Sequence, residues 1–247
     1  MSVRISVSMA VYNGEKYIRT QLDSIVKQLS AEDEVVISYN PSTDATWEII
    51  KEYESKYDIV KVFVCEELGV LPNSKNSLKH CSGKYIFFAD QDDCWTDNKV
   101  ELVMRAFMEK NPPVVLHDMQ YTDGELTPTG VTMFAERHSR PGIIRNVIKN
   151  SYHGGCMAME SRYLKYIHPV PKNIGFGDMW GGLVGEMLGK PVFIPEVLML
   201  YRRHDSNLSS EERRSLSIII PERIRLIKEL YKRKKEIKRA MRSEKRK

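Results

Sequence analysis

Apolar and polar residues follow two different periods along the first part of the chain. Short runs rich in β-branched residues predict four strands, at Val3–Ala10, Glu34–Ser38, Ile59–Cys65 and Lys84–Ala89. Apolar residues spaced three and four apart predict the helices between and after them, at Glu15–Gln28, Ala45–Lys56, Ser74–Cys81 and Asp97–Lys110. Strands alternating with helices of this length are typical of right-handed βαβ units and a parallel sheet. The first half therefore predicts an α/β unit of the nucleotide-binding type.

The second half has a less regular pattern. Strands are predicted at Val114–His117, His153–Glu160, Pro191–Ile194 and Leu198–Tyr201. One helix is predicted at Ile143–Lys149. A second is predicted after the segment Ile174–Trp180 and ends at Leu188. We interpret residues 1–118 and 119–210 as two halves of one domain, and residues 211–247 as a helical tail. A length of 247 residues accommodates one large domain with such an addition.

Composition narrows the class of protein. The four cysteines lie far apart and form no C-x-x-C pair, which favours reduced cytosolic thiols over disulfides or a zinc site. No apolar run approaches the ~20 residues that span a bilayer, and we find no apolar stretch typical of a signal peptide near the N-terminus. These patterns predict a cytoplasmic protein.

The tail carries most of the positive charge. Residues 211–247 contain 15 Lys and Arg against 6 Asp and Glu, whereas the other residues contain 23 against 27. We place Pro221 in the first turn of a helix, where proline is tolerated. Ile220, Ile224, Ile227 and Tyr231 form one apolar stripe on it. A basic amphipathic helix predicts binding to an anionic membrane surface through residues 221–247. The alternatives are packing on its own domain and a homodimer contact; nucleic acid is disfavoured because no aromatic platform accompanies the charge.

Three carboxylates follow the fourth predicted strand, in Asp90-Gln91-Asp92-Asp93. Ligands bind at the carboxyl ends of strands in open α/β sheets, and Mg²⁺ or Mn²⁺ carrying a diphosphate needs oxygen ligands of this type. The alternative is a solvated acidic turn, in which a later aspartate caps the helix at Asp97–Lys110. Neither a G-x-G-x-x-G motif nor a P-loop follows the first strand, which argues against a dinucleotide oxidoreductase and a P-loop NTPase.

Several separated segments resemble the family 2 inverting glycosyltransferases of the GT-A fold. They occur in the family's order between about residues 3 and 208, at Val7–Gly14, Ser42–Asp44, Gly83–Trp95, Gly155–Ala158, Gly177–Trp180 and Tyr201–His204. The resemblance implies a Rossmann-like, mostly parallel central sheet flanked by helices. It also implies that residues 1–118 bind the donor and residues 119–210 bind the acceptor and carry catalysis. The D-Q-D-D-x-W form resembles bacterial transferases that build rhamnose-containing and other surface polysaccharides.

The resemblance implies a role for each donor-side residue. Tyr12 would stack on the nucleotide base, Asp90 would lie near the ribose, and Asp92 would bind the Mn²⁺ or Mg²⁺ that bridges the phosphates. His204 would be a further metal ligand, although a surface turn is the alternative. Asp93 could instead cap the next helix. Three further residues are predicted to line the donor site, namely Ala10, Gln91 and Arg202, with Arg202 reaching the diphosphate.

On the acceptor side, Asp178 is the predicted catalytic base. Inverting transfer is one in-line displacement, in which a positioned carboxylate takes the proton of the acceptor hydroxyl and contributes about 10²–10⁴-fold. A helix N-cap is the alternative role for Asp178. Trp95 and Trp180 are predicted to contact the acceptor, with core packing as the alternative for Trp180.

One departure from the family pattern affects the choice of donor. The chain has Tyr39-Asn40 where an aspartate pair is usual, and the second of those aspartates accepts from the pyrimidine imide. Asn40 can still accept through its amide oxygen, so a UDP- or dTDP-sugar stays the expected donor. The expected function is transfer to a saccharide or lipid-linked acceptor at the inner face of the membrane. The alternatives are a catalytically impaired, membrane-bound scaffold and a sugar nucleotidyltransferase, although the signature loop of the latter is missing after the first strand.

Overall fold

The computed structural model describes residues 3–171, 174, 177–205, 207 and 215–244. The strands are β1 Ile5–Val11, β2 Glu34–Tyr39, β3 Val60–Val64, β4 Tyr85–Ala89, β5 Cys94–Trp95, β6 Val114–Thr122, β7 Pro128–Thr132, β8 Met157–Glu160 and β9 Val192–Arg202. The helices are α1 Ile18–Val26, α2 Thr46–Lys56, α3 Val70–His80, α4 Lys99–Lys110, α5 Met133–Arg137, α6 Ile143–Ile148, α7 Leu164–Ile167, α8 Gly177–Leu188 and α9 Leu216–Glu244. Across these residues the strands form one sheet flanked by helices, which confirms the predicted α/β fold.

The first half of the sheet is parallel, as predicted. Its strands lie in the order β3-β2-β1-β4, and every neighbouring pair in this part runs parallel. The chain moves outward from β1 to β3 and then returns to place β4 on the other side of β1. This reversal makes a topological switch point at the carboxyl ends of β1 and β4, where open α/β sheets bind ligands.

The second half makes the sheet mixed. Strand β8 is antiparallel to β4 and β6 is antiparallel to β8, whereas β9 runs parallel to β6. The short strand β5 pairs with β9, with Cys94 opposite Leu200 and Trp95 opposite Met199. The acidic motif between β4 and β5 is therefore held against the end of β9, although more than a hundred residues separate them in sequence.

Several predicted boundaries differ from the structure. The third helix begins at Val70, four residues before the predicted start, and α4 begins at Lys99. The two strands predicted around residue 195 are one strand, β9, whose register against β6 shifts twice near Asp118. The sequence predicts a strand at His153–Glu160, but residues 154–156 form a 3-10 turn and the strand, β8, begins only at Met157.

Helix α9 uses one face to pack on the domain. Leu226, Leu230 and Ile237 are buried, and the Arg233 guanidinium donates to the carbonyl oxygens of Tyr166 and His168 at 2.6 and 3.1 Å. The helix begins at Leu216, so Pro221 lies inside it and not in its first turn, which corrects the prediction. Residues 211–214 and 245–247 of the predicted tail lie outside the described residues.

Among the described helices, none has the length and apolar character needed to cross a membrane.

Candidate active site

A cleft of about 1270 Å³ opens above the carboxyl ends of β1 and β4. Ligand pockets commonly enclose roughly 300–1,000 Å³, so this cleft has room for more than one small ligand. Eight of the predicted site residues line it, namely Ala10, Tyr12, Asn40, Asp90, Gln91, Asp92, Asp178 and His204. Segments distant in sequence therefore meet at one place.

Asp92 and His204 meet at the mouth of the cleft. His204 Nε2 lies 2.9 Å from Asp92 Oδ2, and the same oxygen accepts from Asn207 Nδ2 at 3.2 Å. The Tyr17 ring stacks on His204 with ring centroids 4.5 Å apart and fixes the plane of the imidazole. Among the described residues no cluster of three or more His, Cys, Asp and Glu side chains could hold a metal ion. A cation that takes phosphate oxygens and water in its other positions needs only one or two protein ligands, and the Asp92 carboxylate, with His204 beside it, offers the oxygen ligand that Mn²⁺ or Mg²⁺ prefers. The residues present fit a divalent cation.

Two further carboxyl groups, those of Asp90 and Asp93, lie behind this pair and have raised pKa values. Asp90 faces the cleft, but the protein around it and the carboxylates of Asp92 and Asp178 raise its pKa to about 7. Asp93 is completely buried, and burial together with Asp90 and Asp92 raises its pKa well above the ordinary value. Its Oδ1 accepts from the Arg202 N–H at 3.2 Å, and its Oδ2 has no hydrogen-bond partner among the described residues. Asp93 therefore does not cap α4, which begins six residues later.

The Tyr12 ring forms part of the cleft wall and is 48% exposed. Its backbone is clamped by Gln91, whose Oε1 accepts from the Tyr12 N–H at 2.9 Å and whose Nε2 donates to the Tyr12 carbonyl at 2.8 Å. A Cβ at Gly14 would lie 2.6 Å from Gln91 Oε1, so glycine leaves room for the clamp. The Gln91 amide, predicted to line the donor site, thus acts on Tyr12 and leaves the aromatic face open for stacking.

Asn40 lines the cleft, but its amide is already engaged. Its Nδ2 donates to the carbonyl oxygens of Cys65 and Glu67 at 2.6 and 3.0 Å, and its Oδ1 accepts from the Gly69 N–H at 3.2 Å. The residue is only 2% exposed. This corrects the expected role of Asn40: it holds the loop before α3 and does not offer its amide oxygen to a base.

Asp178 lies in the first turn of α8 and faces the cleft. Its Oδ2 accepts from the backbone N–H of Gly154 at 2.9 Å. The contact joins α8 to the 3-10 turn before β8, and a helix N-cap bonds its own first turn instead. The carboxylate is exposed, so it remains accessible to a hydroxyl group in the cleft.

Arg202, predicted to reach the diphosphate, is turned away from the cleft. It is 5% exposed; its Nε donates to the Asp92 carbonyl at 2.9 Å and its Nη1 to the Gly124 carbonyl at 2.5 Å. The guanidinium also lies 4.8 Å from the centre of the Tyr17 ring. Arg202 therefore fixes the backbone of the acidic motif, and the neighbouring Arg203 lines the cleft.

Both tryptophans predicted to contact the acceptor are buried. Trp95 is 2% exposed and packs between Phe87 and Lys99 below the acidic motif. Trp180 is completely buried and donates from Nε1 to the Ile167 carbonyl at 2.8 Å. The acceptor role is wrong for both residues, and the core-packing alternative holds for Trp180.

Four residues of the site were not predicted, namely Tyr17, Lys99, Gly154 and Asn207. Asn207 follows His204 by three residues, so the proximity of the two in sequence was a usable signal. Tyr17 follows the apolar spacing of α1, and Lys99 is one lysine among many. Nothing in the sequence distinguishes these two from ordinary surface or core positions.

Comparison with known proteins agrees with this geometry. The family model "Glycosyl transferase family 2" matches residues 6–167. The chain is 36% identical over 107 residues to glycosyltransferase GlyA of Streptococcus pneumoniae, covering 43% of this chain and 15% of that protein. It is 30% identical over 128 residues to the Escherichia coli β-1,3-glucosyltransferase WfaP, which acts on diphosphoundecaprenol-linked GlcNAc, covering 51% of this chain and 50% of WfaP. These alignments span half or less of each relative.

Solved structures share the fold. S. aureus TarS 1–349 in complex with UDP-GlcNAc superposes with a TM-score of 0.69 at 19% identity, covering 93% of this chain and 66% of that one. The mannosyltransferase PcManGT from Pyrobaculum calidifontis, in complex with GDP-Man and Mn²⁺, gives a TM-score of 0.63 at 16% identity, covering 84% and 59%. At this level of identity the likeness shows the architecture alone.

Proposed function

The chain belongs to glycosyl transferase family 2, and on that premise we propose that it is a metal-dependent inverting glycosyltransferase. The donor is a nucleoside-diphosphate sugar, and the acceptor is a saccharide or lipid-linked saccharide of bacterial surface-polysaccharide synthesis. The observation that carries the proposal is the meeting of Asp90, Asp92 and His204 with Asp178 in one cleft beside the exposed Tyr12 ring. The Mn²⁺ complex of PcManGT and the lipid-linked substrate of WfaP support the cofactor and the acceptor class.

The donor lies along the edge formed by β1 and β4. Its base stacks on Tyr12, which the Gln91 clamp holds in place, and its ribose lies near Asp90. Because the Asn40 amide is occupied, base recognition depends on the Tyr12 face and the backbone of the loop it holds. The donor carries a pyrimidine base, and Asn40 makes no direct hydrogen bond to the imide of that base.

The pair of Asp92 and His204 is the place where we propose that the metal and the diphosphate bind. Asp92 and His204 would hold a divalent cation, which supplies charge to offset the diphosphate as it leaves. Arg202 keeps the Asp92 backbone in place from behind. A cation here would also offset the charge of the neighbouring carboxylates, which together with burial raises the pKa values of Asp90 and Asp93.

The chemical step takes place next to Asp178. The acceptor hydroxyl oxygen forms a bond to C1 of the sugar while the bond from C1 to the phosphate oxygen breaks. The proton of the hydroxyl passes to the Asp178 carboxylate, and the electron pair of the broken bond leaves with the diphosphate. Attack from the face opposite the leaving group inverts the anomeric configuration. The bond from the Gly154 N–H holds Asp178 in place for this proton transfer.

A donor screen tests the activity. Purified protein with Mn²⁺ and a panel of UDP-, dTDP- and GDP-sugars should release nucleoside diphosphate from at least one donor, and EDTA should stop the release. NMR of the sugar product should show the anomeric configuration inverted. Release no faster than that of Asp178→Asn for every donor in the panel would refute the proposal.

We further propose that α9 places the enzyme on an anionic membrane at the inner face. Ile220, Ile224, Ile227 and Tyr231 lie on one face of the helix and are 50 to 61% exposed, beside the stripe that packs on the domain. Helical spacing continues this face into Lys234, Lys235 and Lys238. The acidic residues Glu222, Glu229 and Glu236 recur every seven positions and lie on the other side of the helix. An apolar stripe followed by a basic one suits an anionic lipid surface.

Helix α6 extends this surface. Ile144 and Ile148 are 80% and 74% exposed, and they line a shallow groove with Lys149 and with Lys234 of α9. The groove thus brings two exposed apolar side chains next to the face of α9 that carries the lysines. We expect both helices to contact the same bilayer.

Point substitutions test this surface better than truncation, because removing α9 would uncover the core that Leu226 and Leu230 cover. Ile224→Asp with Ile227→Asp should abolish co-sedimentation with phosphatidylserine vesicles and spare donor hydrolysis. Met108→Asp on α4, also exposed, is the control. Equal sedimentation of the double variant and the control would exclude the surface. Light scattering that shows a wild-type dimer broken by the same variant would identify a homodimer contact instead.

A further inference from the structure

A buried lysine lies beneath the acidic motif, outside the groups assigned above to donor, metal and base. Lys99 opens α4 and is 1% exposed. Its Nζ donates to the Gly155 carbonyl oxygen at 2.7 Å and lies 4.0 Å from the centre of the Trp95 ring. Burying an ammonium group is unfavourable unless it is well paired, so this contact calls for a reason beyond packing.

The turn that Lys99 holds touches both sides of the cleft. The backbone N–H of Gly154 donates to Asp178 Oδ2 at 2.9 Å. The next residue, Gly155, lies against the carboxylate of Asp90, because a Cβ at Gly155 would be 3.1 Å from Asp90 Oδ2. Two adjacent residues of one turn therefore touch one carboxylate of the donor side and one of the acceptor side, so the position of the turn sets the separation between them.

The two glycines are needed for space and not for backbone conformation. Neither has a positive φ angle. A Cβ at Gly154 would lie 3.2 Å from Asp178 Oδ1, and a Cβ at Gly155 would lie 3.1 Å from Asp90 Oδ2. A side chain at Gly154 would require Asp178 to shift, and one at Gly155 would require Asp90 to shift together with Met199 Sδ and Asp93 Oδ2, which would lie at 3.1 and 3.2 Å. The turn thus packs against the carboxylates of Asp178 and Asp90 on its cleft side and accepts a hydrogen bond from Lys99 on its buried side.

We propose that Lys99 is a positioning residue for glycosyl transfer, because it holds the Gly154–Gly155 turn that sets Asp178 relative to Asp90. The proposal rests on the proposed function of Asp178 as the base. Burial lowers the pKa of Lys99 to about 7. In either protonation state Nζ–H can donate to the Gly155 carbonyl oxygen, which lies within the turn itself. Displacing a base by about 1 Å costs on the order of 10²-fold in rate.

Amide hydrogen exchange tests whether Lys99 stabilises the Gly154–Gly155 turn, and it needs no substrate. In Lys99→Met, which keeps the unbranched apolar part of the side chain and removes the Nζ donor, amides of residues 153–157 should exchange roughly 10- to 100-fold faster than in the wild type. Lys110→Met, at an exposed position of the same helix, is the control and should leave them unchanged. Exchange of this segment at the wild-type rate in Lys99→Met would overturn the proposal.

Substitutions of the two glycines test whether Gly154 positions Asp178 and Gly155 positions Asp90. They also keep the proposal testable if the Lys99 variant does not fold. Gly154→Ala should lower kcat for transfer about 10-fold or more with little change in the KM of the donor, because it displaces Asp178. Gly155→Ala should raise the donor KM and the Mn²⁺ concentration required, because it displaces Asp90. Equal effects of both on kcat and KM would indicate a purely structural turn and overturn the assignment.

The two arms separate this proposal from the proposed function. If the wild type hydrolyses no nucleotide sugar, the transferase proposal fails while hydrogen exchange still decides whether Lys99 holds the turn. If the wild type is active and Lys99→Met matches it in kcat, Lys99 has no positioning role although the transferase stands.

Discussion

Carboxylates at the two edges of the same sheet have opposite environments. At the amino edge, Glu34 at the start of β2 accepts from Ser6 Oγ at 2.5 Å, from Lys61 Nζ at 2.6 Å and from the Ser82 N–H at 2.7 Å. Burial alone would raise the pKa of Glu34, but these bonds outweigh burial and hold the pKa below its ordinary value. The neighbouring Asp33, paired with Arg4, also has a lowered pKa. These carboxylates stabilise the folded chain.

At the carboxyl edge the balance is reversed. Burial and mutual repulsion raise the pKa values of Asp90 and Asp93, although Lys99 and backbone N–H groups oppose the rise. The same residue type thus costs free energy at one edge and contributes it at the other. Charges held at a cost to stability mark a place where a ligand of opposite charge completes the structure. The comparison therefore indicates the same cleft as the motifs do, on independent grounds.

The largest expected effect is that of Asp92→Ala. Removing the carboxylate that faces His204 should lower metal-dependent donor affinity on the order of 10³-fold, because the cation loses a protein ligand. The free energy of unfolding of the metal-free protein should change by less than about 1 kcal/mol, because lost bonds are offset by relief of repulsion. Calorimetry with and without Mn²⁺ and urea unfolding measure the two quantities.

Asp97→Ala is the matched control for that experiment, since Asp97 is a strongly exposed aspartate five residues further along that pairs with Lys27. Its donor affinity should equal that of the wild type. A donor affinity in Asp92→Ala that responds to Mn²⁺ as in the wild type would remove Asp92 from the metal site. A large loss of stability in Asp92→Ala would break the comparison between the two edges.

The next effect in size is that of Asp178→Asn. The amide cannot take a proton, so transfer should fall roughly 10²-fold or more while donor affinity stays near that of the wild type. Single-turnover transfer and calorimetry separate the two. The matched control is Asp58→Asn at an exposed position after α2. Wild-type turnover in Asp178→Asn would show that another group accepts the proton.

The parallel half of the fold could be predicted from the sequence because three of its four strands, β1, β2 and β4, are buried on both faces, whereas the edge strand β3 is partly exposed. All six residues of β2 are buried, and such strands appear as continuous apolar runs. The start of α3 at Val70 was missed because Leu68, Val70 and Leu71 are exposed and break the amphipathic pattern. Strand β7 was missed because it contains a proline and a glycine and its residues are mostly exposed.

The acidic residues of the site could be predicted from the sequence, but the hydrogen bonds and packing contacts of the residues around them could not. Motif residues such as Asp92 and His204 come together as expected, since strand ends in an α/β sheet converge on one edge. The roles of Asn40, Arg202 and Trp180 differ from the prediction because residue type does not say whether an amide, a guanidinium or a ring is already engaged. Only the packing of the second half against the first decides this.

The third prediction concerns the amino edge. Glu34→Gln should lower the free energy of unfolding by roughly 2–3 kcal/mol, because Lys61 loses its charge partner and donors face an amide. The kcat of the folded fraction at 20 °C should stay at the wild-type value, because the edge is remote from the cleft. Denaturant unfolding and donor hydrolysis provide the measurements. A fall in kcat without a loss of stability would contradict the assignment of this edge to stability.

The same carboxylate predicts a pH dependence. The pKa of Glu34 is lower in the folded state than in the unfolded chain, so the folded state binds fewer protons. Its contribution is complete above the unfolded pKa of about 4.3 and is lost as the pH falls through the folded value. The difference in stability between the wild type and Glu34→Gln should therefore narrow below about pH 4. A difference that stays constant down to pH 3 would refute the linkage.

The smallest expected effect is that of Asp33→Asn. Arg4 donates to both oxygens of Asp33 at 2.9 and 2.7 Å, and the Ser30 N–H and hydroxyl donate to Oδ2 at 2.8 Å each. An asparagine keeps one acceptor and turns its amino group toward one of these donors, so about 1 kcal/mol should be lost. The loss is smaller than at Glu34 because the Arg4 side chain is 40% exposed and water screens the pair. If Asp33→Asn is more stable than the wild type, the carboxylates at the amino edge repel one another as those at the carboxyl edge do. Ligand binding would then be the only difference between the two edges of the sheet.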